Sequence, residues 1–135
     1  YDGSGSFETS SATSKPRYER YKNLRAEHKE LQTWSPSYGW LWASAEMSWY
    51  LRLYGWKKYT APMLLIQAQT EDLVSVRALK NFAGKINRQG KTTCDYIHMI
   101  GTKHEIYESR GKILEKYWGY MLAFLDDEEN DTDRR

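Results

Sequence analysis

Four aliphatic residues in a row, Met63-Leu64-Leu65-Ile66, follow Ala61-Pro62 with nothing polar between them. A run this short and continuous is the pattern of a strand buried on both faces, which is the condition of strands in a parallel sheet. Parallel strands need a crossover, and the chain supplies one. Val76, Leu79, Phe82, Ala83 and Ile86 recur at helical spacing, and Gln89-Gly90 closes that helix. Residues 93–100 then form a second strand around Tyr96-Ile97-His98-Met99-Ile100, and Gly101-Thr102-Lys103-His104 turns out of it. After Gly111 a last helix carries the stripe Leu114, Tyr117, Trp118, Met121, Leu122 and Leu125. Strand, helix, strand, helix in that order predicts a right-handed βαβ unit with helices lying on the sheet.

The first sixty residues differ. Residues 1–16 are rich in Gly, Ser and Thr and read as a flexible loop. From Pro16, with Ser14 as candidate N-cap, Tyr18, Tyr21, Leu24, His28 and Leu31 predict one helix. Ser35-Pro36-Ser37 breaks it. A second helix starts near Tyr38, with Tyr38, Leu41, Trp42, Ala45, Trp49 and Leu53 on one stripe, and Gly55 ends it. Trp40, Tyr50, Trp56 and Tyr59 lie off that stripe, so the region is aromatic on more than one face, as expected of a helix buried on two sides or of one lying between a core and an apolar ligand. Beyond Leu125 the acidic run from Asp126 to Asp131 reads as a frayed, solvated tail.

Several function classes fall away on composition. At 135 residues the chain is one domain, and a net charge of +2 is too balanced to argue for nucleic acid. Arg17, Arg20, Lys22, Arg25 and Lys29 of the first helix are interspersed with Glu19, Glu27 and Glu30, which weakens that reading further. The single Cys94 excludes an internal disulfide framework, fits a reducing compartment or a secreted protein that does not rely on disulfides, and reads as a small buried hydrophobe. No apolar run approaches the roughly 20 residues a membrane helix needs. His28 has no Cys or His spaced around it to form a metal site, and His98 reads as a packed or hydrogen-bonded strand residue.

What remains is a carboxylate and an imidazole, each just past the end of a strand: Glu71 or Asp72 after the first, His104 after the second. Reactive groups of open α/β sheets sit beyond the C-terminal strand ends, where the loops converge on a crevice. A carboxylate bonded to one ring nitrogen fixes the tautomer and stabilises the imidazolium formed when the other nitrogen takes a proton. The two types thus make sense as acid and base of a relay.

The run Ala61–Ala68, the acidic loop, Arg77, Phe82, Lys85-Ile86-Asn87, Gly90-Lys91 and Gly101-Thr102-Lys103-His104-Glu105-Ile106 resembles the C-terminal part of α/β-hydrolases of the bacterial lysophospholipase and monoacylglycerol lipase branch. Upstream, Thr13-Ser14, Arg17-Tyr18 and Pro36-Ser37-Tyr38-Gly39-Trp40 look like the cap region of the same proteins. The resemblance implies a fold class of α/β with two parallel strands and flanking helices, the C-terminal part of a hydrolase sheet, preceded by a helical cap segment. It divides the chain into a flexible loop (1–15), a helical cap or lid (16–58), hydrolase core (59–126) and an acidic disordered tail (127–135). It places His104 as the catalytic histidine. In the family pattern of acid, any residue, then two aliphatics, Glu71-Asp72-Leu73-Val74 fits with Glu71 as the acid, ahead of Asp72. Trp40, Trp42 and Trp49 of the cap become candidate substrate contacts.

The departure from the family is severe. The fold orders its triad Ser, then Asp or Glu, then His, with the serine in a G-x-S-x-G elbow. Gly3-Ser4-Gly5-Ser6-Phe7 has glycine in the serine's place and no strand before it. The expectation is therefore a segment of a serine ester hydrolase acting on a lipid-like ester, partnered by the N-terminal half of the same hydrolase, and inactive alone. No cofactor, metal or nucleic acid is implied. The expected location is cytoplasmic, with peripheral contact to the inner membrane. The competing expectation is a non-catalytic interaction or membrane-surface module built on the aromatic helices.

Overall fold

The computed structural model describes residues 5–32 and 35–132, with backbone alone over 128–132. Residues 1–4 of the expected loop and 133–135 of the expected tail lie outside the described residues. The chain is mixed α/β: α1 (Lys15–Glu27), a 3-10 turn (Lys29–Leu31), α2 (Tyr38–Leu53), a second 3-10 turn (Gly55–Lys58), β1 (Met63–Thr70), α3 (Val76–Gln89), β2 (Cys94–Lys103), a third 3-10 turn (Ile106–Glu108) and α4 (Gly111–Thr132). β1 and β2 pair in parallel, starting with Met63 opposite Cys94.

Alternation along the strands divides the core in two. Met63 and Leu65 of β1 with Cys94 and Tyr96 of β2 pack against Phe82, Ala83 and Ile86 of α3, and Trp56 and Tyr59 close the edge. Ile66, Ala68, Ile97 and Met99 face the other way, toward Ile106 and toward Ile113, Tyr117 and Tyr120 of α4. Helices thus cover both faces, which is why the aliphatic run could be continuous. Gly90, at φ 69°, ends α3 in the left-handed region that glycine reaches without strain. Asn87 then ties α3 to β2: its Oδ1 accepts from the Cys94 N–H at 2.6 Å and its Nδ2 donates to the Cys94 carbonyl at 2.9 Å.

Both strands run further than their aliphatic residues. Gln67 and Gln69 continue β1, because ladder hydrogen bonds come from the backbone and are indifferent to polarity. Gln67 is buried, and the Tyr96 hydroxyl donates to its Oε1. β2 likewise extends through Gly101 and Thr102, where the sequence suggested a turn.

The helices before the sheet depart from expectation. α1 stops at Glu27, where His28 turns extended and takes the C-cap place, so Leu31 falls in the following 3-10 turn. Ser14 stands at the N-cap, but its hydroxyl caps nothing. α2 is well started, with the Ser37 hydroxyl accepting from the Trp40 N–H at 3.1 Å. It buries no residue, however, and the expected burial on two sides is corrected to exposure on every face. The stripe of aromatics is real, but among the described residues nothing buries it. His98 is exposed as well, and stands in the strand ladder opposite Gln67. α4 continues to Thr132 where fraying after Leu125 was expected, since each added residue of a formed helix gains a hydrogen bond.

Residues 5–14 have no helix or strand but are anchored near their end. The Ser11 carbonyl accepts from the Glu105 N–H at 3.1 Å, Thr13 and Ser109 share a hydroxyl hydrogen bond of 2.9 Å, and Ala12 is buried. Accessible surface totals 10380 Å² for 16.0 kDa, where the scaling for compact monomers gives about 7,400 Å². Large apolar side chains stand exposed on α2 and at Trp118, Leu122 and Leu125 of α4. Among the described residues no helix is long and apolar enough to cross a membrane.

Candidate active site

Glu71 is the first residue after β1 and His104 the first after β2. Regular pairing would not bring them together. From Met63 opposite Cys94 to Ala68 opposite Met99 each residue of β1 faces the one 31 positions on, which would set Glu71 beside Thr102. Between Ala68 and Thr70 the register slips, so that Thr70 faces Lys103. Two steps along β1 match four along β2, a bulge that carries His104 forward to Glu71. Bulges of this kind re-aim side chains at strand ends.

The bulge is held by specific groups. Gly101 takes φ 78°, and its N–H donates to the Gln69 Oε1 at 2.6 Å. A Cβ there would also stand 3.2 Å from the Ile113 Cδ1. Thr102 is 2% exposed, and its hydroxyl donates to the Met99 carbonyl at 2.7 Å while accepting from the Gln69 N–H at 3.2 Å. From the other side the 5–14 segment braces the turn, with the Lys103 ammonium on the Ser10 carbonyl at 2.9 Å and Ser11 on Glu105. In the sequence Gly101, Thr102 and Lys103 read as part of an expected turn, not as residues that set a register, and Gln69 and Ser10 carry no signal of this role. A glycine near the end of a strand pattern marks bulges.

The resulting pair is close. Both carboxylate oxygens of Glu71 lie 2.8 Å from the His104 Nδ1. Oε1 also accepts from the backbone N–H groups of Leu73 at 3.0 Å and Val74 at 3.1 Å, so the acid closes its own loop. The Glu71 side chain is 4% exposed and that of His104 37%. Burial pushes the Glu71 carboxyl up, but the hydrogen bonds from His104, Leu73 and Val74 together with the His104 charge outweigh it and hold the group below the usual carboxylate range. Glu71 is therefore ionised near neutrality and can only accept, so whenever the imidazole is neutral its proton sits on Nδ1. Nε2 is left with its lone pair and bonds to no described residue.

Beside His104 lies a cleft of 480 Å³ whose walls are Leu64, Ile66, Ile106, Tyr107, Tyr117, Met121, Phe124 and Leu125. The arrangement offers one basic nitrogen at the rim of an apolar hollow. Asp72 is exposed, and the carboxylate paired with the imidazole is that of Glu71. Trp40, Trp42 and Trp49 are 60%, 70% and 60% exposed on α2, and none of them lines this cleft. Cys94 is buried under α3, its thiol pushed up by burial and by Asp95. Among the described residues no group of three His, Cys, Asp or Glu could hold a metal ion.

Comparison with known proteins returns no matching family model, no matching curated protein and no matching solved structure. The likeness to the hydrolases rests on the residues quoted above.

Proposed function

We propose that this chain supplies the acid and the base of an α/β-hydrolase triad of the lysophospholipase and monoacylglycerol lipase type, with Glu71 as acid and His104 as base. The observation that carries the reading is the Glu71–His104 contact of 2.8 Å at the adjoining C-terminal ends of two parallel strands. The nucleophilic serine would come from a partner N-terminal half of the fold, which would also cover the open edge of the sheet and the apolar stripe of α4.

The chemistry follows from the tautomer. With Nδ1–H held by an ionised carboxylate, Nε2 takes the proton of the serine hydroxyl as its oxygen attacks the ester carbonyl. The imidazolium so formed is stabilised by Glu71, and it returns the proton to the departing alcohol. A second cycle with water in place of serine releases the fatty acid. The aliphatic cleft beside His104 suits an acyl chain, since sites for such ligands are mostly apolar with few polar groups.

Two assays test the reading. The chain alone should not turn over a short-chain aryl ester, and turnover abolished by His104→Ala would refute the need for an added serine. Combined with a chain carrying a G-x-S-x-G half of this fold, hydrolysis of a monoacylglycerol should appear. It should vanish in His104→Ala and fall by roughly 10⁴ in Glu71→Gln, as expected when a triad acid becomes an amide. Full activity in either variant would overturn the assignment.

A further inference from the structure

Around Trp56, near the end of the sheet where both strands begin, a recess of 530 Å³ is lined by Trp56, Lys57, Lys85, Arg88, Gln89 and Lys91, with four cations and no carboxylate. Lys85 and Lys57 place their ammonium groups 5.3 and 5.7 Å from the centre of the Trp56 ring. Lys85 donates to the Arg52 carbonyl and Lys91 to the Lys57 carbonyl, each at 2.8 Å. An ammonium has three hydrogens, so each of these lysines is fixed in place with donors to spare.

The charge is segregated in the chain. Residues 47–70 and 73–94 carry eight Lys and Arg side chains and no acid, although the whole chain has a net charge of only +2. Asp95 is the first carboxylate past them. The patch also continues onto α2: the Arg52 guanidinium lies 5.8 Å from the Trp49 ring centre, and Trp49, Tyr54, Leu51 and Leu53 are exposed around it. Crowded cations next to exposed tryptophan, tyrosine and leucine match a surface that is anionic at its face and apolar just beneath. That is the description of a bilayer interface. A nucleic acid would match the cations but leave the exposed leucines against water or phosphate.

We propose that this face docks onto membranes containing anionic phospholipid, with the cations around Trp56 taking headgroup phosphates and the aromatic end of α2 entering the interface. It stands on residues apart from Glu71 and His104, and holds whether or not that pair is catalytic.

Flotation of the full chain with vesicles tests it, because bound protein rises and self-associated protein sinks. The chain should float with phosphatidylcholine vesicles containing phosphatidylglycerol, and not with pure phosphatidylcholine. K57Q/R88Q/K91Q should weaken binding about 100-fold, near fivefold for each cation removed from the surface. The charge-keeping K57R/R88K/K91R should bind like the unaltered chain, and so should R110Q/K112Q/K116Q, which removes the same charge around the start of α4. Equal flotation with both vesicle types would overturn the proposal. So would equal weakening by the two glutamine triples, loss of binding in K57R/R88K/K91R, or binding to single-stranded DNA without binding to vesicles.

Discussion

Replacing Glu71 by alanine removes an acceptor that serves three donors: the His104 Nδ1–H and the backbone N–H groups of Leu73 and Val74. Hydrogen bonds to a charged acceptor contribute about 1.5–3 kcal/mol each, but the three do not add. Leu73 and Val74 are exposed, so their N–H groups turn to water in the variant and most of their contribution is recovered. His104 is nearly two-thirds covered, and the carboxylate it loses is 4% exposed. The net expectation is a loss of about 2 kcal/mol, or a Tm lower by roughly 6–10 °C for a domain of this size. Asp72→Ala, one residue along and exposed, should stay within about 0.5 kcal/mol. Urea unfolding followed by circular dichroism measures both, and hydrogen exchange should show faster amides at Leu73 and Val74 only in Glu71→Ala. A cost for Asp72→Ala equal to that of Glu71→Ala would refute the reasoning.

Further expectations concern the same region. The folded state holds the Glu71 carboxyl below its ordinary value of 4.5, so its contribution is complete above that value and is lost as pH falls through the folded one. Glu71→Gln should therefore flatten part of the acid limb of a stability-versus-pH curve, and an unchanged limb would contradict this. Thr102→Val keeps the shape but strands the Met99 carbonyl and the Gln69 N–H, and should cost about 1–3 kcal/mol in the same unfolding assay. Gly101→Ala should destabilise by about 1–3 kcal/mol, since φ is 78° there. The exposed apolar surface of α2 and α4 should make the chain self-associate, and a monodisperse monomer in light scattering would count against that.

The parts of this fold visible in the sequence are those set by near neighbours. Met63 to Ile66 announce a doubly covered strand, Gly90 ends α3, and the spacing of Val76 to Ile86 fixes which face of that helix meets the sheet. The family pattern separated Glu71 from Asp72, and the structure sets Glu71, not Asp72, against His104. The bulge was hidden because register is a relation between strands some thirty residues apart, and Gln69 and Thr102 look like ordinary polar residues until paired. The fate of α2 was hidden for another reason. An aromatic stripe reads alike whether a chain covers it or leaves it open.

The most direct test of the pairing is where the proton of His104 sits. In ¹⁵N-histidine-labelled chain at mildly alkaline pH, with the signal assigned by His104→Ala, nuclear magnetic resonance should show His104 protonated at Nδ1 with a bare Nε2. In Glu71→Gln the amide becomes able to donate, and the proton should move to Nε2 while the fold persists. A His104 protonated at Nε2 in the unaltered chain, or a tautomer unmoved by Glu71→Gln, would contradict the account.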